Sequence, residues 1–170
     1  DVLPVIPGDI RVGVFEPNLN YGKNCIIPVV ICNKAKRDLS SVRIYGTSEL
    51  QKKTWWKAFA PDHMQFLARR CFSSEIKEHC NVVVSFTENW DLNYLSFECF
   101  HLGVPIIHNS RLLKRFGYYY EGHDVDTACA YLRQLNTTAF DKEAYQLRNR
   151  AALVEYSLEN PKLNTFLQKQ

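Results

Sequence analysis

The chain has 170 residues, of which 46% are hydrophobic and 23% are charged, and its formal net charge is +3 at pH 7. This composition is typical of a folded domain and excludes a mainly disordered chain. The positive charge is small and scattered, which excludes the basic stripe needed to bind nucleic acid. No apolar run approaches the roughly 20 residues of a membrane helix, and the first residues lack the basic start of a signal peptide. We therefore expect a cytoplasmic protein without a transmembrane segment.

The six cysteines lie mostly inside apolar segments rather than at the regular spacing of a disulfide framework. They are predicted to be reduced core residues. A zinc site formed by Cys71, Cys80, Cys99 and His101 is the alternative. However, the sequence contains no Cys-x2-Cys pair, the spacing typical of zinc ligands. We expect no metal.

In the first half of the chain, the apolar pattern predicts six elements. These are a strand over 10–15, a helix over 25–34, a strand over 42–45, a strand or helix over 54–59, and helices over 63–70 and 74–79. Trp55 and Trp56 favour a strand for the ambiguous segment, because aromatic residues are enriched in strands. Pro28 falls near the first turn of its helix, where a missing N–H is tolerated.

In the second half, strands and helices continue to alternate. The predicted elements are a strand over 81–85, a helix over 92–102, a strand over 103–107, helices over 124–135 and 141–156, and a trailing helix or tail over 157–170. Such alternation predicts an α/β domain with a parallel sheet and helices on both faces. At this length a single core is sufficient, so we expect one domain over residues 1–170.

The helix over 92–102 carries a candidate ligand. Its predicted apolar face consists of Leu92, Leu95, Cys99 and Leu102, at three- and four-residue spacing. Gly103 follows where a C-terminal cap belongs. Glu98 projects to one side of this face and precedes a buried strand, so we consider it as a binding residue. A solvated acidic face is the alternative interpretation.

Several runs of this sequence resemble the C-terminal domain of GT-B-type glycosyltransferases. They lie within residues 10–135 and are most similar to a little-characterised bacterial, phage or viral branch. The matching runs are Val-Gly-Val-Phe-Glu-Pro-Asn at 12–18, Asn-Trp-Asp-Leu-Asn-Tyr-Leu at 89–95, Glu98, Gly-Val-Pro-Ile-Ile-His-Asn-Ser at 103–110, and Gly-Tyr-Tyr-Tyr at 117–120.

The resemblance implies a Rossmann-like half of a GT-B fold that binds a nucleotide diphosphate sugar. In that fold the diphosphate lies at a helix N-terminus and a glutamate binds the ribose. The resemblance makes Glu98 the ribose ligand, places Asn93 and Tyr94 at the phosphate-facing helix start, and makes Lys23 the basic residue of the first loop. A helix N-terminus and a lysine can hold a diphosphate without a metal, so no cofactor is expected. An ordinary surface lysine is the alternative for Lys23.

Four further residues are candidate donor-binding residues. Glu88, Asn89 and Trp90 follow a buried strand, where the sugar or acceptor should pass. Trp90 stands eight positions before Glu98, where many retaining enzymes of this fold carry a glutamate. The catalytic residues and the stereochemical outcome are therefore unassigned. His108 ends a strand and is expected to contact donor or acceptor, with a hydrogen-bonded core histidine as the alternative.

The implied function is sugar transfer from a nucleotide diphosphate sugar to an unknown glycan, lipid or protein acceptor. A complete GT-B enzyme has two Rossmann-like domains, so a companion N-terminal domain is also implied. The main alternative is a non-catalytic GT-B-like module that binds a nucleotide or a partner. A dehydrogenase domain is disfavoured, because Gly13 does not begin a Gly-x-Gly-x-x-Gly turn.

Overall fold

A computed structural model describes residues 1–16, 22–59, 61–89 and 92–156. These residues form one six-stranded sheet in which all neighbouring strands are parallel. The strands are β1 (Arg11–Val14), β2 (Ser41–Tyr45), β3 (Met64–Leu67), β4 (Val82–Val84), β5 (Ile106–His108) and β6 (Tyr118–Tyr119). Their order across the sheet is β3, β2, β1, β4, β5, β6. The direction of chain progression therefore reverses between β1 and β4, and the order is that of a Rossmann-like sheet.

Helices connect these strands. They are α1 (Ile26–Lys34), α2 (Thr54–Phe59), α3 (Phe72–Glu78), α4 (Tyr94–Leu102), α5 (Val125–Thr137) and α6 (Lys142–Glu155), with short 3₁₀ turns at Lys36–Asp38 and Leu50–Lys52. Asn93, Asp124 and Asp141 cap α4, α5 and α6, because each side chain accepts a hydrogen bond from a backbone N–H of the first turn. Gly103 ends α4 with φ +71°, the left-handed conformation that favours glycine.

The core lies on both faces of the sheet. Val82 and Val84 pack in one apolar cluster with α1 and α5, whereas Val83 packs in a second cluster with α3, α4 and α6. This alternation follows from the strand geometry, in which successive side chains point to opposite faces. All three valines are completely buried, and each such burial stabilises the fold by roughly 1.5 to 3 kcal/mol. The predicted parallel sheet with helices on both faces is thus confirmed.

Two predicted elements differ from the structure. Residues 54–59 form α2 rather than the favoured strand, and β3 replaces the helix predicted over 63–70. The two changes have one cause, because Trp56 on α2 is buried against Phe66 of β3, with ring centroids 5.1 Å apart. Met64 to Leu67 are reasonable helix formers, but pairing with β2 at the sheet edge overrides that weak preference.

The buried face of α4 is also shifted from its predicted position. Leu92 precedes the helix and is 47% exposed, whereas the buried residues are Ser96, Cys99 and Phe100. All six cysteines, each within the described ranges, are free thiols, as predicted, and five of them are buried. Cys71 is exposed and is not the core residue that was predicted, because it lies in the exposed segment between β3 and α3. No helix of the described residues is long and apolar enough to cross a membrane. The trailing segment 157–170 lies outside the described residues.

Candidate functional site

A cavity of about 510 Å³ opens at the carboxyl edge of the sheet, beside the switch point between β1 and β4. In open α/β sheets this is the edge at which ligands bind, and the volume lies in the usual range for small-molecule sites. The lining comes from the segments that follow β1, β2 and β3 and from the first turns of α4. Its described members are Phe15, Glu16, Lys23, Tyr45, Arg69, Arg70, Cys71, Phe72, Asn93, Leu95 and Glu98.

The loops beside the cavity are tied together by backbone hydrogen bonds. Lys23 and Thr87 form an isolated antiparallel bridge, and the backbone N–H of Glu88 donates to the carbonyl of Gly22 at 2.8 Å. Asn109, which follows β5, donates to and accepts from the backbone of Thr87, both at 2.9 Å. Lys23 is therefore held next to the end of β4.

Glu16 lies two residues after β1 and is only 2% exposed. Its Oε1 accepts a short hydrogen bond from the Ser85 hydroxyl and faces the Asn93 Nδ2 at 3.5 Å. Its buried Oε2 has no hydrogen-bonding partner among the described residues. Burial raises the pKa of this carboxyl to about 7, although the Ser85 hydrogen bond, nearby backbone N–H groups and the charge of Lys23 all oppose that shift.

Positive charge predominates in the cavity lining. Lys23, Arg69 and Arg70 contribute three cationic side chains. The acidic side chains are Glu98, which is exposed, and Glu16, whose burial favours the neutral form. The cavity is therefore suited electrostatically to an anion, and the two arginines can provide the bidentate donors that bind phosphate oxygens.

One wall of the cavity is aromatic. The rings of Phe15 and Tyr45 stack at 4.6 Å with an interplanar angle of 15°, and Phe72 packs edge-on against Phe15 at 5.0 Å. The Tyr45 hydroxyl donates to Oε2 of the buried Glu75 at 2.6 Å, which fixes the ring. A flat apolar surface of this kind beside cationic groups can accept a planar ring attached to an anion.

The structure brings three of the predicted site residues to this cavity. Lys23, Asn93 and Glu98 all line it: Lys23 comes from the loop after β1, whereas Asn93 and Glu98 belong to the start of α4. Asn93 is the N-cap of α4, and its Oδ1 accepts from the backbone N–H of Leu95 at 3.3 Å. Tyr94 begins the helix and is 79% exposed, outside the cavity lining. The roles of these residues as ligands stay predictions.

Glu88 and Asn89 follow β4 but do not line the cavity. The Glu88 Oε2 lies 3.8 Å from Nε2 of His123, just before α5. Asn89 is exposed and has φ +57°, a left-handed conformation that asparagine tolerates better than most residues. Both remain beside the site rather than in its lining. Trp90 lies outside the described residues.

His108 is placed differently from the expectation that it contacts donor or acceptor. Its ring is 1% exposed, with Nε2 hydrogen-bonded to the Phe116 carbonyl at 3.0 Å and Nδ1 accepting from the Ser110 N–H at 3.2 Å. Burial lowers the pKa of the imidazole to about 4. Both ring nitrogens are thus used within the core, and the alternative of a hydrogen-bonded core histidine describes its position.

Three charged residues of the cavity lining are not among the site residues predicted from the sequence. Arg69 and Arg70 fell within the incorrectly predicted helix over 63–70, so their position after a strand was not recognised. The signal that could have found them is the apolar and polar alternation of Met64, Gln65 and Phe66. Glu16 could have been found because an acidic residue directly after a buried parallel strand lies at the ligand-binding edge.

Metal binding has no obvious location in the described part of the chain. No group of three or more histidine, cysteine, aspartate or glutamate side chains there could hold a metal ion. The alternative zinc site therefore has no support among these residues.

Comparison with known proteins agrees with the fold. The structure is similar to that of AviGT4, a glycosyltransferase involved in avilamycin A biosynthesis, with a TM-score of 0.53 and 12% sequence identity. The similarity covers 88% of this chain but only 46% of the AviGT4 chain, so this chain spans less than half of that protein. At this identity the likeness establishes a shared fold, a Rossmann-like α/β domain consistent with half of a GT-B structure.

Sequence comparison is less specific. No curated protein matches the chain. The bacterial, phage or viral branch suggested by the sequence stays a prediction, because none of these similarities bears on it. Residues 5–169 match the family described as "Protein of unknown function (DUF2827)", and the chain therefore belongs to that family.

Proposed function

We propose that this domain binds a nucleotide diphosphate sugar and forms the donor-binding half of a glycosyltransferase. The observation that carries the proposal is the convergence of Lys23, Asn93 and Glu98 on one cavity at the switch point of a Rossmann-like sheet. The resemblance implies a donor-site role for all three residues independently of their spatial proximity. Convergence of this kind favours a binding site over scattered surface residues.

The diphosphate is assigned to the part of the cavity between Lys23 and the start of α4. A helix N-terminus carries about half a positive charge, and a lysine beside it adds a full charge. Arg69 and Arg70 add further cationic groups on the side of β3. Together these groups can neutralise a leaving diphosphate without a metal ion, which is the chemistry that transfer of the sugar requires.

The nucleoside is assigned to the remaining lining. Glu98 lies one turn after Asn93 on α4, and its carboxylate can accept hydrogen bonds from two ribose hydroxyls. The aromatic wall of Phe15 and Phe72 offers apolar surface to the base. Sugar transfer would then occur at the mouth of the cavity, where a companion domain would supply the acceptor site.

The test is a calorimetric titration of the domain with UDP, GDP, dTDP and CMP and with their sugar conjugates. We expect saturable binding by one nucleotide class and at least a tenfold loss of affinity in both Glu98→Ala and Lys23→Ala, because each removes a direct contact worth about 1.5 kcal/mol or more. Glu78→Ala and Lys52→Ala are matched controls, since both residues are exposed and absent from the cavity lining.

Two outcomes would contradict the proposal. Absence of binding by every nucleotide and conjugate would reject a donor site in this domain. Binding that is equally weakened by the control variants would place the ligand elsewhere. If a nucleotide binds, a chain that also carries the proposed companion domain should hydrolyse the radiolabelled sugar conjugate, with water accepting the sugar, and release the free nucleotide. Tight binding without any release would favour a non-catalytic nucleotide-binding module.

A further inference from the structure

We propose that Glu16 is a positioning residue that couples occupancy of the cavity by an anionic ligand to the protonation of its own carboxyl. This inference rests on the proposed function and adds to it a form of regulation by pH. It assigns a role to a buried carboxyl that lies within one of the matching runs but to which the resemblance gives no role.

Glu16 lies between the groups that would bind the diphosphate. Its Oε1 faces the side-chain amide of Asn93, whose own oxygen caps α4. The same oxygen accepts from Ser85 at the end of β4. Glu16 therefore links the ends of the two strands that form the switch point to the start of the helix nearest the ligand.

The hydrogen bonding of the Glu16 carboxyl is incomplete among the described residues. Oε2 is buried and lacks a hydrogen-bonding partner among the described residues. An ionised carboxylate needs hydrogen-bond donors to both of its oxygens to offset the loss of water. Here one oxygen lacks such a donor. The neutral carboxylic acid is therefore the form that suits this position when nothing else supplies compensating charge.

Lys23 is the group through which ligand and proton compete. Its charge favours the ionised form of Glu16. A bound diphosphate would place two negative charges near the same ammonium group, cancel that effect and repel an ionised Glu16. Because burial already raises the pKa of Glu16 to about 7, a further rise would make the bound state take up a proton near neutral pH.

The other groups around Glu16 do not titrate in this range. They come from three further elements: Cys25 before α1, Cys99 in α4 and Tyr120 after β6. Burial raises the pKa of Cys25 to about 12 and raises the pKa values of Cys99 and Tyr120 well above their usual ranges. All three are neutral below pH 9. Cys71 also lines the cavity, and the Ser73 hydroxyl and nearby backbone N–H groups lower the pKa of its thiol. The pH dependence of ligand binding is therefore measured in Cys71→Ser as well, and the part that persists in that variant is assigned to Glu16.

The test uses UDP-glucose, GDP-mannose and dTDP-glucose, because their doubly esterified diphosphates keep a constant charge between pH 6 and 8.5. We expect the affinity of the wild-type domain to fall by about tenfold over this interval, which corresponds to a ligand-induced pKa rise of about one unit. Calorimetry at pH 7 in buffers of different ionisation enthalpy should show net proton uptake on binding.

Glu16→Gln mimics the neutral acid and should bind with the low-pH affinity of the wild type at every pH. Asp38→Asn is the matched control: this partly buried carboxylate pairs with Arg133 and does not line the cavity, and its variant should keep the wild-type pH profile. Proton uptake is also measured in Cys71→Ser, which keeps Glu16 and lacks the cavity thiol, so a misfolded Glu16→Gln would not prevent the test.

The two proposals fail differently. Binding without proton uptake and without pH dependence in the wild type would overturn the role of Glu16 and leave the donor site intact. Equal pH dependence in wild type and folded Glu16→Gln would also overturn it, because another group would then be titrating. Absence of binding by all three sugar nucleotides at every pH would overturn both proposals.

Discussion

Glu16 and His108 are both buried titratable groups at the carboxyl edge of the sheet, but their surroundings are complete to different degrees. His108 uses both ring nitrogens in hydrogen bonds and packs between aromatic rings. Glu16 leaves one oxygen without a partner among the described residues and lines the cavity. The comparison shows that burial and a shifted pKa alone do not identify a binding residue. The distinguishing feature is an unsatisfied polar atom next to space that a ligand can occupy.

The largest expected effect on stability concerns His108, whose two ring nitrogens are both hydrogen-bonded. His108→Ala removes a packed ring and leaves the Phe116 carbonyl and the Ser110 N–H without their partner. We expect the free energy of unfolding to fall by about 4 kcal/mol, because cavity formation and lost hydrogen bonds add together. Urea denaturation at pH 8 measures the change, and the exposed His101 provides the control His101→Ala, which should lose less than 1 kcal/mol. A loss below 1 kcal/mol in His108→Ala would show that the ring is not a structural centre.

The second prediction concerns Glu16, one oxygen of which has no hydrogen-bonding partner among the described residues. Because the folded-state pKa of Glu16 is raised from 4.5 to about 7, the unfolded chain releases this proton first, and the native state loses stability as pH rises between those values. Glu16→Gln removes this loss and should be more stable than the wild type by up to about 3 kcal/mol at pH 8, with the difference shrinking towards pH 4.5. Urea denaturation at pH 5, 6, 7 and 8 measures it. A difference that is constant across these pH values would refute the assignment.

His108 should show the opposite pH dependence. Its folded-state pKa is lowered from 6.5 to about 4, so its contribution is complete above pH 6.5 and is lost as pH falls towards 4. In the wild type the two slopes oppose each other between pH 4.5 and 6.5. In Glu16→Gln the His108 slope should stand alone, with a loss of about 2 to 3 kcal/mol on acidification from pH 7 to 4.5. A flat profile in that variant would mean that His108 titrates normally.

The smallest expected effect concerns Gly117, which packs against the His108 ring, compared with Gly122, which does not. Gly117 has φ +59°, and a Cβ there would lie 2.9 Å from the Nε2 of His108. Gly122 has φ +48° but open space around it. The two glycines therefore share a left-handed conformation that would strain an alanine, and they differ in packing. We expect Gly122→Ala to cost about 1 kcal/mol and Gly117→Ala about 2 kcal/mol. Thermal or urea unfolding compares them directly. Equal losses would mean that the His108 ring moves aside without cost.

The sequence predicted the order of most elements because periodicity and caps are local signals. The apolar valines of β4 and the glycine after α4 each identify an element from a few adjacent residues. The exchange of strand and helix around Trp56 and Phe66 was missed, because their contact joins residues distant along the chain and outweighs local preference.

The site was predictable to a similar extent. Asn93 and Glu98 lie in runs that carry a resemblance, which also implies Lys23 as the basic residue of the first loop, and the structure places all three at one cavity. Arg69 and Arg70 depend on the position of β3, and the unsatisfied oxygen of Glu16 depends on Ser85 and Asn93, which are 69 and 77 residues away. Relations of this kind arise only from the folded arrangement.

The distribution of cysteines provides a practical way to observe the cavity. Of the six, all within the described ranges, Cys71 alone is exposed, and it lies at the cavity lining. The Ser73 hydroxyl and nearby backbone N–H groups lower the pKa of its thiol, which increases the reactive thiolate fraction. The native domain can therefore be labelled with a maleimide fluorophore at a single position, without replacing any other residue, and the dye would report occupancy of the cavity in real time.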